Sequence, residues 1–181
     1  MSKLETNTID TISGSSTLTL GGTNLSTVNM ASGVSPGTGM GKVLQVKQTI
    51  MSGNGSSTTG AFPIEAGLSV SITPSSTSNK ILATLDCCVS IDADNWCLVG
   101  IRRDSTDLGR QRTSPRVGGN PLQLIPVSIT ILDSPSSVSS LTYKAVFGGH
   151  VSGATATFNY RPDHGASTTG YSAITVKEIA G

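Results

Sequence analysis

Charge is scarce in this chain: Asp, Glu, Lys and Arg make up 13% of 181 residues, and the formal net charge is +1. That balance carries no strong signal for binding a polyanion. Aromatic residues are only 4%, few for a monomer built on one large core. Such a chain folds when copies pack together and share buried surface. No apolar run is long enough to span a bilayer, so no membrane insertion is expected. The start, Met1-Ser2-Lys3-Leu4-Glu5, lacks the apolar stretch of a signal peptide. The three cysteines, Cys87, Cys88 and Cys97, are an odd number with an adjacent pair, which makes no disulfide framework. They read as small buried hydrophobes of a protein made in a reducing cytosol. Neither a Cys-x-x-Cys pair nor suitably placed histidines offer a zinc site, so no metal and no cofactor are expected.

What is present is alternation. From Gly67 to Ile91 two runs flank a connection rich in Pro, Ser, Thr and Asn. Leu68, Val70 and Ile72 share one face of the first run. Ile81, Ala83, Leu85, Cys87, Val89 and Ile91 share one face of the second. A period of two means strands with one buried face. The pattern predicts strands over 42–51, 68–73, 80–91, 96–103, 122–132, 140–151, 154–160 and 171–179. Turn residues fall between them at Gly53-Asn54-Gly55, Asp104–Asp107, Gly118-Gly119-Asn120-Pro121 and Asp133-Ser134-Pro135. No long segment has a helical period. The expectation is an all-β fold: an antiparallel, jelly-roll-like β-sandwich over residues 42–181.

Residues 1–41 differ. They are low in charge, rich in Thr, Ser, Gly and Asn, and their apolar positions, among them Leu4, Ile9, Ile12, Leu18 and Leu20, return at irregular gaps. Such a segment buries no core alone. Residues 1–30 read as an extended, β-rich segment needing a partner surface, and 31–41 as a Gly/Ser/Pro linker. Leu4, Ile9, Ile12, Leu18 and Leu20 are the candidate anchoring or trimer contacts.

No catalytic constellation stands out. Gly37-Thr38-Gly39-Met40-Gly41-Lys42 lacks the Ser or Thr of a phosphate loop, and neither strand nor helix flanks it. Asp92, Asp94 and Asn95 supply oxygens at a calcium-like spacing, without the closing glutamate of a full calcium loop. They are read as a solvated turn. His150 and His164 have no Ser and Asp partners in hydrolase order. Glu5, Glu65 and Glu178 are scattered, so no glycosidase pair can be assigned. The one local basic excess is Arg102, Arg103, Arg110, Arg112 and Arg116. Arg110, Arg112 and Arg116 lie in a loop or an edge strand and form a candidate surface-binding loop, able to meet phosphates or a neighbouring protein. Nucleic acid is not expected, because aromatics for base stacking are missing nearby. Trp96, inside the strand over 96–103, is read as core.

Several short motifs look familiar. Ser69-Val70-Ser71-Ile72-Thr73-Pro74-Ser75-Ser76-Thr77-Ser78-Asn79-Lys80-Ile81-Leu82 resembles a run in fibre-like virion proteins of tailed bacteriophages, marine ones especially. Val99-Gly100-Ile101-Arg102-Arg103-Asp104-Ser105-Thr106 resembles their Arg-Asp-Gly-Thr hairpin, with Ser105 in place of glycine. Leu132-Asp133-Ser134-Pro135 followed by Leu141-Thr142-Tyr143-Lys144 is similar to a paired turn and strand. Ser172-Ala173-Ile174-Thr175-Val176-Lys177-Glu178-Ile179 is similar to a closing strand, and 6–20 to leader segments. The resemblance implies a homotrimeric, non-enzymatic particle appendage on the virion surface. Its N-terminus would dock on other virion proteins. The resemblance implies no particular receptor; the head's loops would be available for host-surface contact, with a cell-surface glycan as the candidate partner. The alternatives are a capsid decoration protein bracing the head and, from another class, a polysaccharide-degrading tail protein.

Overall fold

The computed structural model describes residues 42–53, 55–91, 96–113, 123–161 and 170–181. The N-terminal segment with Leu4, Ile9, Ile12, Leu18 and Leu20, the linker, the Asp92–Asn95 cluster, Arg116, the turn at 118–121 and His164 lie outside them. Among the described residues there is no helix. There are ten strands: β1 (Val43–Met51), β2 (Ser57–Thr58), β3 (Ile64–Ile72), β4 (Lys80–Ile91), β5 (Cys97–Arg103), β6 (Thr106–Thr113), β7 (Ile125–Asp133), β8 (Leu141–Gly149), β9 (Ala156–Phe158) and β10 (Ser172–Ile179).

Their pairing is nested. β5 pairs with β6 across the Asp104-Ser105 turn, β4 with β7, β3 with β8, and β1 with β10, all antiparallel. This is one long hairpin folded over on itself. Two further antiparallel contacts, β10 with β4 and β5 with β8, close the roll. The first sheet runs β1-β10-β4-β7, with β9 and β2 continuing along the far end of β4; the second runs β3-β8-β5-β6. A six-stranded and a four-stranded antiparallel sheet joined this way form a jelly-roll-like sandwich.

The core lies where the predicted faces meet. Leu68, Val70 and Ile72, the six alternating residues of β4, and Leu141, Tyr143, Ala145 and Phe147 are all buried in one cluster. Phe147 and Phe158 cross at 5.6 Å between ring centroids, a tilted contact within the favourable range for aromatic pairs. β3 starts four residues earlier than the alternation indicates. Gly67, at φ 79°, sits in a register irregularity between Glu65 and Ser69 that breaks the pattern. β6 carries few apolar residues because it is an edge strand, and so it writes no burial pattern into the sequence. Asp133 is not a turn residue. It ends β7, buried, where Arg103 Nη1 donates to its Oδ2 at 2.5 Å and the Tyr143 hydroxyl at 2.7 Å.

Glu178 closes the roll at the C-terminus. It is 1% exposed. Its carboxylate accepts from Gln45 Nε2 (2.7 Å), Ser75 N (2.7 Å), Ser75 Oγ (2.8 Å) and Asn79 Nδ2 (2.5 Å), so β1, β10 and the β3–β4 connection share one charged group. Burial pushes the Glu178 pKa up, but the donors Gln45, Ser75 and Asn79 outweigh it and hold it at about 2, against a usual 4.5. A carboxylate depressed on folding adds stability above its unfolded pKa and loses it as pH falls through the folded one. Glu178→Gln is therefore expected to lower stability at pH 7 and to flatten its decline between about pH 4.5 and 2. Equilibrium denaturation across that window checks this, and an unchanged acid slope in the variant contradicts it.

Candidate functional site

The outer face of the second sheet is built differently from its core face. Leu98, Gly100, Val146 and Gly148 point away from the core cluster, yet all are buried. The β2–β3 connection lies over part of this face. Phe62 N donates to Gly149 O at 2.9 Å, Gly149 N to Gly60 O at 3.2 Å, and Ala61 bridges Gly149. Close approach depends on two glycines. A Cβ on Gly148, which has φ 154°, would lie 2.7 Å from Phe62 N. A Cβ on Gly100 would lie 3.1 Å from Phe62 Cζ and 2.6 Å from Gly109 O. Phe62 is thereby held against the sheet, its peptide bond to Pro63 cis.

β6 forms the rim of this face. Arg110 stands opposite Gly100 and Arg112 opposite Leu98, so both guanidinium groups emerge on the outer side. Arg110 lies over the Phe62 ring, 5.7 Å from its centroid, and Arg112 over the Trp96 ring at 4.8 Å. These distances suit a cation on an aromatic face. Among the described residues neither arginine has a carboxylate within ion-pair distance, whereas Arg102 pairs with Asp107 and Lys144 with Glu65, each at 2.8 Å. Phe62, Asp107, Leu108, Gly109 and Arg110 line a shallow depression of about 210 Å³. Its lining joins an aromatic ring, a carboxylate and a forked cation. Such a set offers apolar contact for a ring and directional bonds for hydroxyl or acidic groups.

The structure decides one sequence expectation and corrects two. Of the loop or edge strand open to Arg110 and Arg112, it is the edge strand that holds them, two residues apart on one face. Trp96 is not core. It precedes β5 and is 46% exposed. Aromatics are not missing near the arginines, because the fold brings Phe62 and Trp96 to them from other segments. The Arg-Gln-Arg spacing of 110–112 is the sequence signal for a shared face. Nothing in the sequence links it to Phe62, which only strand pairing brings close.

The remaining candidates disperse. His150 is exposed just past β8, and its backbone N–H donates to Trp96 O at 2.8 Å. Val151, the last residue of the predicted strand 140–151, lies past the end of β8 and is exposed. Glu65 lies on the outer face with Lys144, while Glu178 is buried in its own network. All three thiols are free. Burial pushes the Cys97 thiol up to about 12 and Cys87 higher still, which suits both as inert core side chains. Among the described residues no three His, Cys, Asp or Glu side chains gather as a metal site would require.

No family model matches the chain, and no curated protein matches it. Among solved structures it is similar to the CBM36-1 domain of a multidomain xylanase from the hindgut metagenome of Trinervitermes trinervoides. That likeness is at 15% identity and a TM-score of 0.35, over 75% of this chain and 98% of that chain. A likeness that low carries no argument about function.

The geometry makes the Phe62 contact sensitive to one methyl group. Gly148→Ala is expected to destabilise the chain by about 2 kcal/mol or more, since the new atom meets backbone rather than a side chain that can swing aside. Thermal unfolding measures it. A variant with the wild-type midpoint would show that the β2–β3 connection is not held against β8.

Proposed function

We propose that this chain is a non-enzymatic virion structural protein of a tailed bacteriophage. It is a short homotrimeric fibre or fibre-like appendage, anchored through its N-terminal segment and displaying the jelly roll. The β5–β6 outer face meets a host-surface glycan. One observation carries the binding part: Arg110 and Arg112, without carboxylate partners among the described residues, stand two positions apart on an edge strand, each over an aromatic ring. An alternation of this kind sets the two guanidinium groups about 7 Å apart along the strand. They suit a repeating chain with acidic groups, for which a planar forked donor is the better reader. The virion part is supported by the ordered series of short motifs shared with fibre-like phage proteins, running from the leader to the closing strand.

The binding test uses the single tryptophan of the chain, Trp96, as its own reporter. Full-length protein is titrated with lipopolysaccharide and with acidic capsular polysaccharide of the host while tryptophan emission is followed. Binding should weaken as salt rises, and Arg110→Ala with Arg112→Ala should weaken it at least about tenfold. An affinity unmoved by the double substitution would remove this face from the reading. Release of reducing ends during the titration would favour the polysaccharide-degrading alternative instead.

Anchoring has its own test. Phages carrying a deletion of residues 1–30 should assemble particles lacking this protein. Normal incorporation of the truncated chain would end the attachment role of Leu4, Ile9, Ile12, Leu18 and Leu20.

A further inference from the structure

The outer face of the first sheet carries an inverted strand. In β1, Lys47 stands opposite Val176 and Thr49 opposite Ile174, and Val176 and Ile174 are core residues. Directly opposed residues share a face, so Gln45, Lys47 and Thr49 are turned to the core side, where Met51 packs on the core at the strand's end. Val46 and Ile50, with Gln48 between them, are turned out, and the two aliphatic side chains are 54% and 47% exposed. At the other end of the same cross-strand row as Val46 stands Leu132 of β7, 55% exposed. The middle row is Gln48 and three threonines: Gln48 donates to Thr175 at 2.8 Å, and Thr84 meets Thr130 at 3.3 Å. Lys47 turned inward guards a sheet edge, but aliphatic side chains exposed at both edges of one outer face are the mark of a face that a partner covers.

We infer that the outer face of the first sheet is buried against further copies of this chain, the β1 half of one copy meeting the β4–β7 half of the next. The inference rests on the oligomeric part of the function proposed above. Charge supports a copy as the occupant. In the three central rows of the face the only ionic residues are Lys177 on β10, beside β1, and Asp86 on β4, beside β7. One half thus holds Val46, Ile50 and a cation; the other holds Leu82, Leu132 and an anion. Each half complements the other, which a head-to-tail contact closing into a ring requires. Within one chain these two charges lie four positions apart along the strands, roughly 14 Å from each other, too far to pair with one another. Across the face, Asp86 meets Ser128, whose Oγ donates to it at 2.6 Å, and among the described residues no cation lies within ion-pair distance of it.

The test is a charge swap read by light scattering on the full-length protein. Wild type should have three times the chain mass. Lys177→Glu or Asp86→Lys alone should raise the dissociation constant of the oligomer about tenfold or more, and the double swap should restore it. Val46→Lys with Ile50→Lys should give monomer whose circular dichroism is that of a folded sheet. If that pair does not fold, Val46→Thr with Ile50→Thr replaces it and should weaken association in the same direction. A trimer unmoved by all these changes overturns the assigned face while leaving a trimeric appendage intact. A wild-type monomer overturns both the face and the trimer. Protection of β1 amides from exchange in that monomer would point to residues 1–41 as the cover. Glycan binding through Arg110 and Arg112 is measured separately and stands or falls apart from these results.

Discussion

Strand β4 is the constraint on which the other strands depend. Its twelve residues hydrogen-bond along both edges at once, to β7 on one side and to β10 and then β9 on the other. At the same time six alternating side chains enter the core with at most 3% exposure. A one-residue slip would turn all six to solvent and expel them from the cluster. The register of β7 and β10 is therefore set by β4, and β1 is set in turn by β10. Because β4 pairs with β7 across the β5–β6 hairpin, and β10 returns beside β4, the chain can satisfy these contacts only by rolling. Glu178 then ties the free end of the roll to β1 and to the connection that leads into β4.

The two outer faces of the sandwich are unlike each other for physical reasons. The second sheet is partly covered by its own chain. Glycines at 100 and 148 let the Phe62 segment approach, and the rim arginines find aromatic faces instead of carboxylates. That leaves a small, polar-edged depression suited to a ligand with ring and acidic parts. The central rows of the first sheet's outer side are nearly neutral and fringed with exposed aliphatic side chains. The former has the features of a binding surface, the latter those of a contact between like surfaces. A trimer using the first sheet would leave the second facing outward, so the two proposals are compatible in one particle.

Much of the fold is legible in the sequence. The alternation in β4 and β8 names their inward residues correctly, since a half-buried strand writes its burial directly as a period of two. Edges are harder to read. β6 reads equally as loop or strand because an edge strand at the rim needs few apolar residues, and the start of β3 is hidden because Gly67 interrupts its register. Asp133 looks like a turn residue beside Ser134 and Pro135; Arg103 and Tyr143, thirty and ten positions away in the chain, make it a buried partner instead.

The sequence by itself determined that the chain is all-β, where its main strands run and which of their faces are inward. Those properties depend on neighbours a few residues apart. Only the tertiary structure decided that Phe62 and Trp96 meet Arg110 and Arg112, that Glu178 binds the roll's end with three polar residues from distant segments, and that β1 turns its aliphatic side chains away from its own core. Each of these depends on which strand lies beside which. Pairing at long range is fixed by the joint burial of all the strands, and no local pattern carries it.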